Sequence, residues 1–217
     1  SVIKTILIGH NASAFDTPTL LRTSPSTFCE RLKSLSIIFA DSLVLIKQMR
    51  SSGINSALLG KLSDNKLSTL YSGLFKEELN AHDALEDVKA LSKILFHSSL
   101  QVSIQQILQH GRITTVEDAI SEVKFLDNRH AILQTYNQMS YPNGRNVLSE
   151  SMKIKLAENG IAFETLQNIY TRFGKNGLFA ILALPVSSAK PTNKSRGRIT
   201  RHRRIQAKIL TYFEDHP

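Results

Sequence analysis

The chain has 217 residues, of which 41% are hydrophobic and 21% are charged. These fractions are typical of globular proteins, so the composition excludes disordered and fibrous classes. The longest apolar run, residues 178–184, has seven residues, far short of the roughly 20 that a membrane span needs. A single cysteine, Cys29, excludes an internal disulfide framework and a cysteine-based zinc site. It favours a reducing, intracellular compartment, nuclear or cytoplasmic.

Positive charge is concentrated in the second half of the chain. The net charge is +9, and residues 101–217 hold 16 basic and 9 acidic residues. Residues 190–208 alone carry eight basic residues and no acidic one. Such a segment attracts polyanions and favours nucleic acid as a partner. A solvated tail and a nuclear-targeting signal are the alternatives that charge leaves open.

The first hundred residues predict alternating strands and helices. Residues 4–10 read as a strand buried on both faces, a helix begins near Asp16, and residues 37–41 form a second strand. Residues 84–96 predict a helix whose apolar face comprises positions 84, 85, 88, 91, 94 and 95. This order indicates an α/β fold with a parallel element.

After residue 100 the pattern predicts helices only. Thr115 to Asp118 resemble a capping box, a further helix covers residues 131–139, and Gly160 separates two short helices. The predicted organisation is an α/β domain over 1–98, a helical region over 99–184, a linker over 185–197 and a basic helix over 198–217.

Two short segments carry residues that could do chemistry. One is His-Asn-Ala-Ser-Ala-Phe-Asp at 10–16, where a strand ends, and the other is His-Asp-Ala-Leu-Glu-Asp at 82–87, where a helix begins. Asp87 lies near an apolar face, where a buried carboxylate needs a cation or hydrogen-bond donors. Asp16 follows a strand, at the sheet edge where α/β proteins bind ligands. Taken singly, each residue is more simply a cap or a surface residue, and only the combination is informative.

The two segments resemble the second and third motifs of the DEDDh family of 3′–5′ exonucleases, which have the ribonuclease H-like fold. That family includes proofreading exonuclease subunits, three-prime repair exonucleases and the exonuclease-like domain of the promyelocytic leukaemia protein. Asp41-Ser42-Leu43 is similar to the Asp-Thr-Leu that commonly follows the middle strand in the family. The resemblance covers residues 1–98 and implies a partial ribonuclease H-like fold followed by an all-α C-terminal region.

The resemblance implies a role for five residues of the two motifs. Asp16 and Asp87 would be metal ligands, and His82 would be the general base that activates the attacking water. Asn11 and Phe15 would shape the substrate site, although Phe15 could equally be core. The cofactor would be a pair of Mg²⁺ or Mn²⁺ ions, and the substrate would be a 3′ end of DNA or RNA, expected to be single-stranded.

One departure from the family pattern limits this reading. The family's first motif, Asp-x-Glu on the first strand, supplies two further carboxylates, yet none of the eight aspartates is followed two residues later by Glu. We therefore expect the native protein to extend N-terminally and this chain alone to be inactive. The alternative is an inactive exonuclease fold that serves as a nucleic-acid-binding or protein-interaction module.

The basic segment is the predicted contact for the nucleic-acid backbone, since phosphates require only positive charge. Its residues are Lys194, Arg196, Arg198, Arg201, Arg203 and Arg204. The sequence favours no membrane partner, and it leaves the oligomeric state open.

Overall fold

A computed structural model describes most of the chain, and it divides the chain into two compact units, Ser1–Val123 and Lys124–Pro217. The described residues are 5–80, 83–141, 144–183, 199–200 and 202–216, with the side chains of residues 56 and 57 also left out. The boundary between the two units falls inside the long helix that covers residues 116–135.

The first unit combines a small sheet with short helices. Its elements in chain order are β1 (Ile6–Gly9), α1 (Asp16–Thr23), α2 (Ser26–Ser34), β2 (Ile38–Asp41), α3 (Ser42–Ser51), α4 (Ser56–Leu59), α5 (Leu67–Phe75), α6 (Ala84–Leu95), α7 (Ile104–His110) and β3 (Thr114–Thr115), followed by the beginning of α8 (Val116–Thr135).

The sheet has three strands in the order β1-β2-β3. β1 and β2 are parallel, in register from Ile6 with Ile38 to Gly9 with Asp41, and β3 joins β2 antiparallel. The fold is therefore mixed α/β with a mostly helical remainder, and the predicted parallel element is confirmed. β3 was missed because two threonines carry too short a signal to predict a strand.

Of the two longer strands, only β2 is buried along its whole length. β1 pairs with β2 alone within the described part of the chain, and its Leu7 is 40% exposed. The prediction that this strand is buried on both faces was wrong. A parallel strand is normally covered on both faces, so β1 is more exposed than is usual for a parallel strand with an apolar sequence.

The apolar face of α6 differs from the predicted one. Ala90, Leu91, Ile94 and Leu95 are buried, whereas Leu85 is 61% and Val88 65% exposed. The sequence alone could not separate these two faces, because apolar residues occupy both. The actual buried face continues back, one turn earlier, to Asp87.

The second unit is helical and has its own core. It contains the end of α8, a 3₁₀ turn (Tyr136–Gln138), α9 (Glu150–Glu158), α10 (Phe163–Leu182) and α11 (Arg203–Asp215). Tyr136, Leu156, Leu166 and Phe213 lie at its fully buried centre. The hydroxyl of Tyr136 donates to the carbonyl of Ile161 at 2.7 Å, which satisfies the polar end of a buried ring.

The helix boundaries differ from the predicted ones at two places. α8 continues to Thr135 instead of ending before a separate helix at 131–139, and α11 begins at Arg203 instead of residue 198 or 199. The cap at Thr115 is confirmed, since its hydroxyl oxygen accepts from the Asp118 amide at 3.1 Å. Gly160 has the predicted left-handed backbone, with φ of 69°.

None of the helices in the described residues combines the length and apolar character needed to cross a membrane. The predicted linker, 185–197, lies outside the described residues.

Candidate functional site

The loop after β1 folds back on itself before α1 begins. The amides of Ala14 and Phe15 donate to the carbonyl of Asn11, and that of Thr17 donates to the carbonyl of Ala12. Asn11 adopts a left-handed backbone, with φ of 63°, a conformation that Asn tolerates better than most residues. The turn brings the chain from the end of β1 directly into Asp16, the first residue of α1.

Asp41 holds this loop in place. Its carboxylate is buried at the end of β2 and accepts four hydrogen bonds: from the Asn11, Ser13 and Leu43 amides at 3.0, 3.1 and 2.9 Å, and from the Ser13 hydroxyl at 2.6 Å. Asp41 also caps α3. The donors compensate the burial of the charge, so Asp41 is a positioning residue for Asn11.

Sequence reasoning noted Asp41 but assigned it no role, and it missed Ser13. The available signal was an aspartate that ends a buried strand and precedes a helix, which is the pattern of a helix cap. What the sequence did not reveal is that the same carboxylate also binds the loop after the neighbouring strand.

His10 is a structural residue rather than a free base. Its Nε2 lies 2.9 Å from the carbonyl of Asn65, and its Nδ1 lies 3.0 Å from the hydroxyl of Ser42. A carbonyl only accepts, so Nε2 carries the proton and Nδ1 accepts from Ser42. Burial lowers the pKa of the imidazole below its usual value, which keeps the ring neutral.

Asp16 lies against the end of β1. A Cβ atom added to Gly9 would sit 3.2 Å from Asp16 Oδ2 and 3.0 Å from the Cβ of Ala12. Gly9 therefore leaves the space that the Asp16 carboxylate occupies. The residue as a whole is exposed, so Asp16 combines a fixed position with access to solvent.

Phe15 is not a core residue, because 67% of it is exposed. The core alternative for this side chain was wrong. Its role in shaping a substrate site stays a prediction.

Asp87 has one carboxylate oxygen in an unusual environment. The residue lies in the first turn of α6 in line with the buried Ala90 and Leu91. Its Oδ1 is buried and has no hydrogen-bond partner among the residues that the structure describes. A carboxylate oxygen without a donor is costly to bury, and a hard cation is the kind of partner that would satisfy it.

The described residues do not form a complete metal centre. They contain no group of three or more His, Cys, Asp or Glu side chains arranged to hold an ion. Asp87 and Asp16 provide oxygen donors of the type that Mg²⁺ prefers, but a two-ion site needs more carboxylates than these two. Residues 5–80 and 83–123 therefore fit only part of such a site.

Several predicted site residues lie outside the described residues. These are His82, Lys194, Arg196, Arg198 and Arg201. Arg203 and Arg204 are described, and both are exposed in the first turn of α11.

A narrow cavity of about 20 Å³ lies beside Asp41. Its wall includes Ser13, Arg112 and Glu122, and the last two form an ion pair at 2.8 Å. The volume suits a single water molecule, so this cavity cannot admit a nucleotide.

These features define an α/β protein with a small mixed sheet, acidic side chains at the start of α1 and of α6, and a helical second unit. Comparison with known proteins adds two similarities. Residues 144–216 match the family described as "PML, C-terminal domain". This match lies within the second unit, C-terminal to both motifs. It supports the expected likeness to the promyelocytic leukaemia protein, but it falls outside residues 1–98, where that likeness was predicted.

The second similarity is to a viral protein. The chain is 32% identical over 95 residues to an uncharacterized exonuclease of Acanthamoeba polyphaga mimivirus. The match covers 44% of this chain and 26% of that protein, so the chain spans about a quarter of its length. No solved structure matches.

Proposed function

We propose that these residues form part of a metal-dependent 3′–5′ exonuclease acting on nucleic acid, whose remaining carboxylates lie in a more N-terminal segment of the native protein. The exonuclease motifs at 10–16 and 82–87, together with the similarity to the viral exonuclease, support the proposal. Alone, the 217 residues are expected to be inactive.

The observation that carries the proposal is the orphaned Oδ1 of Asp87. A buried oxygen without a donor is rare in folded proteins and calls for an explanation such as an ion. It occurs at the aspartate that the third motif assigns to the metal. Asp16, fixed against Gly9 at the end of β1, is the second ligand we propose.

Each element of the site has a defined part in the proposed reaction. A pair of Mg²⁺ or Mn²⁺ ions would supply charge stabilisation and an activated water. Asp87 and Asp16 would hold the ions, and His82 would accept a proton from the water. Asn11, held by Asp41, and the exposed ring of Phe15 would contact the terminal nucleotide. The basic residues from Lys194 to Arg204 would contact the phosphates.

The open side of β1 is where we propose that the missing strand adds. β1 pairs on one side only within the described part of the chain, and its apolar sequence is that of an interior strand. A strand carrying Asp-x-Glu there would lie beside the end of β1, close to Asp16.

The test is cleavage of a 5′-labelled single-stranded oligonucleotide by a polypeptide that includes the upstream region. We expect Mg²⁺- or Mn²⁺-dependent shortening from the 3′ end, reduced at least 100-fold by Asp87→Asn. Glu86→Gln is the matched control, since Glu86 is the neighbouring acid of the same turn and pairs with Lys89. Equal activity of the two variants, or cleavage without divalent ions, would contradict the proposal.

The second candidate is an inactive exonuclease fold that binds nucleic acid or protein. It is favoured by the absence of Asp-x-Glu from the 217-residue sequence and by the positive charge of residues 101–217. Salt-dependent oligonucleotide binding without cleavage by the longer polypeptide would support a binding module. If the longer polypeptide neither binds nor cleaves the oligonucleotide, the protein-interaction role remains. For all these roles we propose an intracellular location, nuclear or cytoplasmic.

A further inference from the structure

A larger cavity lies in the second unit, where α10 faces α11. Its volume is about 340 Å³, and its wall is made by Gln167, Tyr170, Thr171, Gly174, Phe213 and His216. It contains none of the residues of the two exonuclease motifs. Its size is that of a pocket for a small organic group.

The cavity occurs where α10 is interrupted. Gly174 has φ of 57° and ψ of −153°, which is not helical. Only glycine adopts this backbone without strain. No atom lies within 4 Å of where a Cβ would be, so the irregular backbone opens the helix surface.

One wall of the cavity is a rigid aromatic surface. The rings of Tyr170 and Phe213 are stacked, with centroids 5.5 Å apart and planes inclined by 20°. Phe213 also contacts Phe163 and Tyr212, at centroid distances of 5.7 and 5.6 Å, and it is only 1% exposed. It therefore supports the half-buried ring of Tyr170, and a ring held in this way can stack on a further ring with little loss of side-chain entropy.

The polar groups of the wall match the edge of a heterocycle. The side-chain amide of Gln167, which offers a donor and an acceptor side by side, has no hydrogen-bond partner among the described residues. The Thr171 hydroxyl donates to the carbonyl of Gln167 at 3.0 Å, so its oxygen remains free to accept. An amide of this kind pairs with the N6 and N7 positions of adenine.

The charged residues next to the wall residues in sequence do not line the cavity themselves. Arg172 and Lys175 are exposed on α10 on either side of the interruption, with Lys175 Nζ 5.5 Å from the ring centroid of Phe179, whereas Glu214 and Asp215 follow Phe213 on α11. A phosphate chain is therefore favoured on the α10 side and disfavoured on the α11 side.

We propose that this cavity binds an adenine base of single-stranded nucleic acid, with the ring stacked on Tyr170, the base edge on Gln167 and the backbone beside Arg172 and Lys175. The inference rests on the proposed function only in taking nucleic acid as the partner.

The test uses the whole 217-residue chain and a single-stranded oligodeoxyadenylate that carries a fluorescent dye at its 5′ end, with binding measured by fluorescence anisotropy. We expect oligodeoxyadenylate to bind more tightly than oligodeoxycytidylate of the same length. Tyr170→Leu should weaken binding about tenfold, the loss of one stacked base. Phe173→Leu is the matched control, because Phe173 is an exposed aromatic residue close to the interruption that does not line the cavity.

Two further variants test the cavity without altering its aromatic wall. Thr171→Phe fills the cavity from its exposed rim and should also reduce binding. Gln167→Leu should abolish a preference for oligodeoxyadenylate over oligodeoxycytidylate. Thermal melting of each variant separates loss of binding from loss of folding.

The outcomes distinguish this inference from the proposed function. It is overturned if Tyr170→Leu and Phe173→Leu bind equally well, or if the original chain binds oligodeoxycytidylate as tightly as oligodeoxyadenylate. Either result would leave the exonuclease proposal intact. Conversely, binding by this chain that is weakened by Tyr170→Leu, together with no cleavage by the longer polypeptide, would support the cavity and contradict the exonuclease.

Discussion

Asp41 is the residue on which the local arrangement of the candidate site depends most. Four donors converge on its buried carboxylate, three of them from the loop after β1 that leads to Asp16. An aspartate with this many partners fixes a loop more effectively than apolar packing does, because each hydrogen bond is directional and charge-assisted.

Replacement of Asp41 should destabilise the protein strongly. Asp41→Ala leaves buried donors unpaired, so we expect a loss of about 3 kcal/mol in the free energy of unfolding. The measurement is urea denaturation. Asp64→Ala, at an acid that caps a turn near the surface, is the control and should have little effect. Similar losses for both variants would refute the anchoring role of Asp41.

His10 should make stability depend on pH. Because burial lowers the pKa of His10 in the folded state, the unfolded state binds more protons below the ordinary histidine pKa of about 6.5. Stability is therefore fully present above that value and falls on acidification. Protonation would also reverse the hydrogen bond with Ser42, because a protonated Nδ1 donates to the hydroxyl oxygen.

The measurement is the melting temperature between pH 5 and 8 for the original chain and for His10→Gln. We expect the original chain to lose more stability on acidification than the variant does. His130→Gln, at an exposed histidine, should leave the pH profile unchanged. Parallel profiles for His10→Gln and the original chain would contradict the assignment.

At the scale of elements, α6 shows what a hydrophobic pattern can and cannot establish. The helix itself was predicted with nearly correct limits, since its period is unmistakable. The side of the helix that is buried was not predicted correctly, because Leu85 and Val88 are as apolar as the buried Leu91 and Ile94. Packing against α5 decided between them, and this information is not local to the sequence.

Two leucines of α6 provide a matched test of the observed face. Leu91→Ala should cost about 2–4 kcal/mol, the range for a buried leucine. Leu85→Ala, on the exposed side, should change the free energy of unfolding by no more than about 0.5 kcal/mol. Both values come from chemical denaturation. The reverse order would indicate the face that the sequence alone predicted.

The interruption of α10 can be tested in the same way. Gly174→Ala should destabilise the chain by about 1–3 kcal/mol, because its backbone conformation is strained for any residue with a Cβ. Asn176→Ala, at an exposed position two residues further on, is the control and should have little effect. A gain in stability with Gly174→Ala would mean that α10 is a continuous helix.

At the scale of the whole molecule, the sequence predicted features that depend on neighbouring residues better than features that depend on distant ones. The fold class and the parallel pair β1–β2 followed from the order of strands and helices. The sequence did not predict the junction of the units within α8, because that helix continues past the end of the first core. It did not predict the cavity at Gly174 either, because this cavity depends on residues of α11 about 40 positions away.

The asymmetry of charge predicts strongly salt-dependent binding to nucleic acid. Replacing Arg203 and Arg204 together by glutamine should reduce the slope of log affinity against log salt by about 1.4 for a single strand. The slope is measured by fluorescence anisotropy over a range of salt concentrations. The control replaces Lys61 and Lys66, two basic residues of the first unit. An unchanged slope after the arginine replacement would exclude α11 from the contact.

We propose that this chain supplies two of the four carboxylates of an exonuclease site. The most direct measurement is the sequence of the native polypeptide upstream of Ser1, read from its transcript and checked by intact mass. We expect a strand there that carries Asp-x-Glu and can add to the open side of β1. A native chain that begins at or near Ser1 would contradict it.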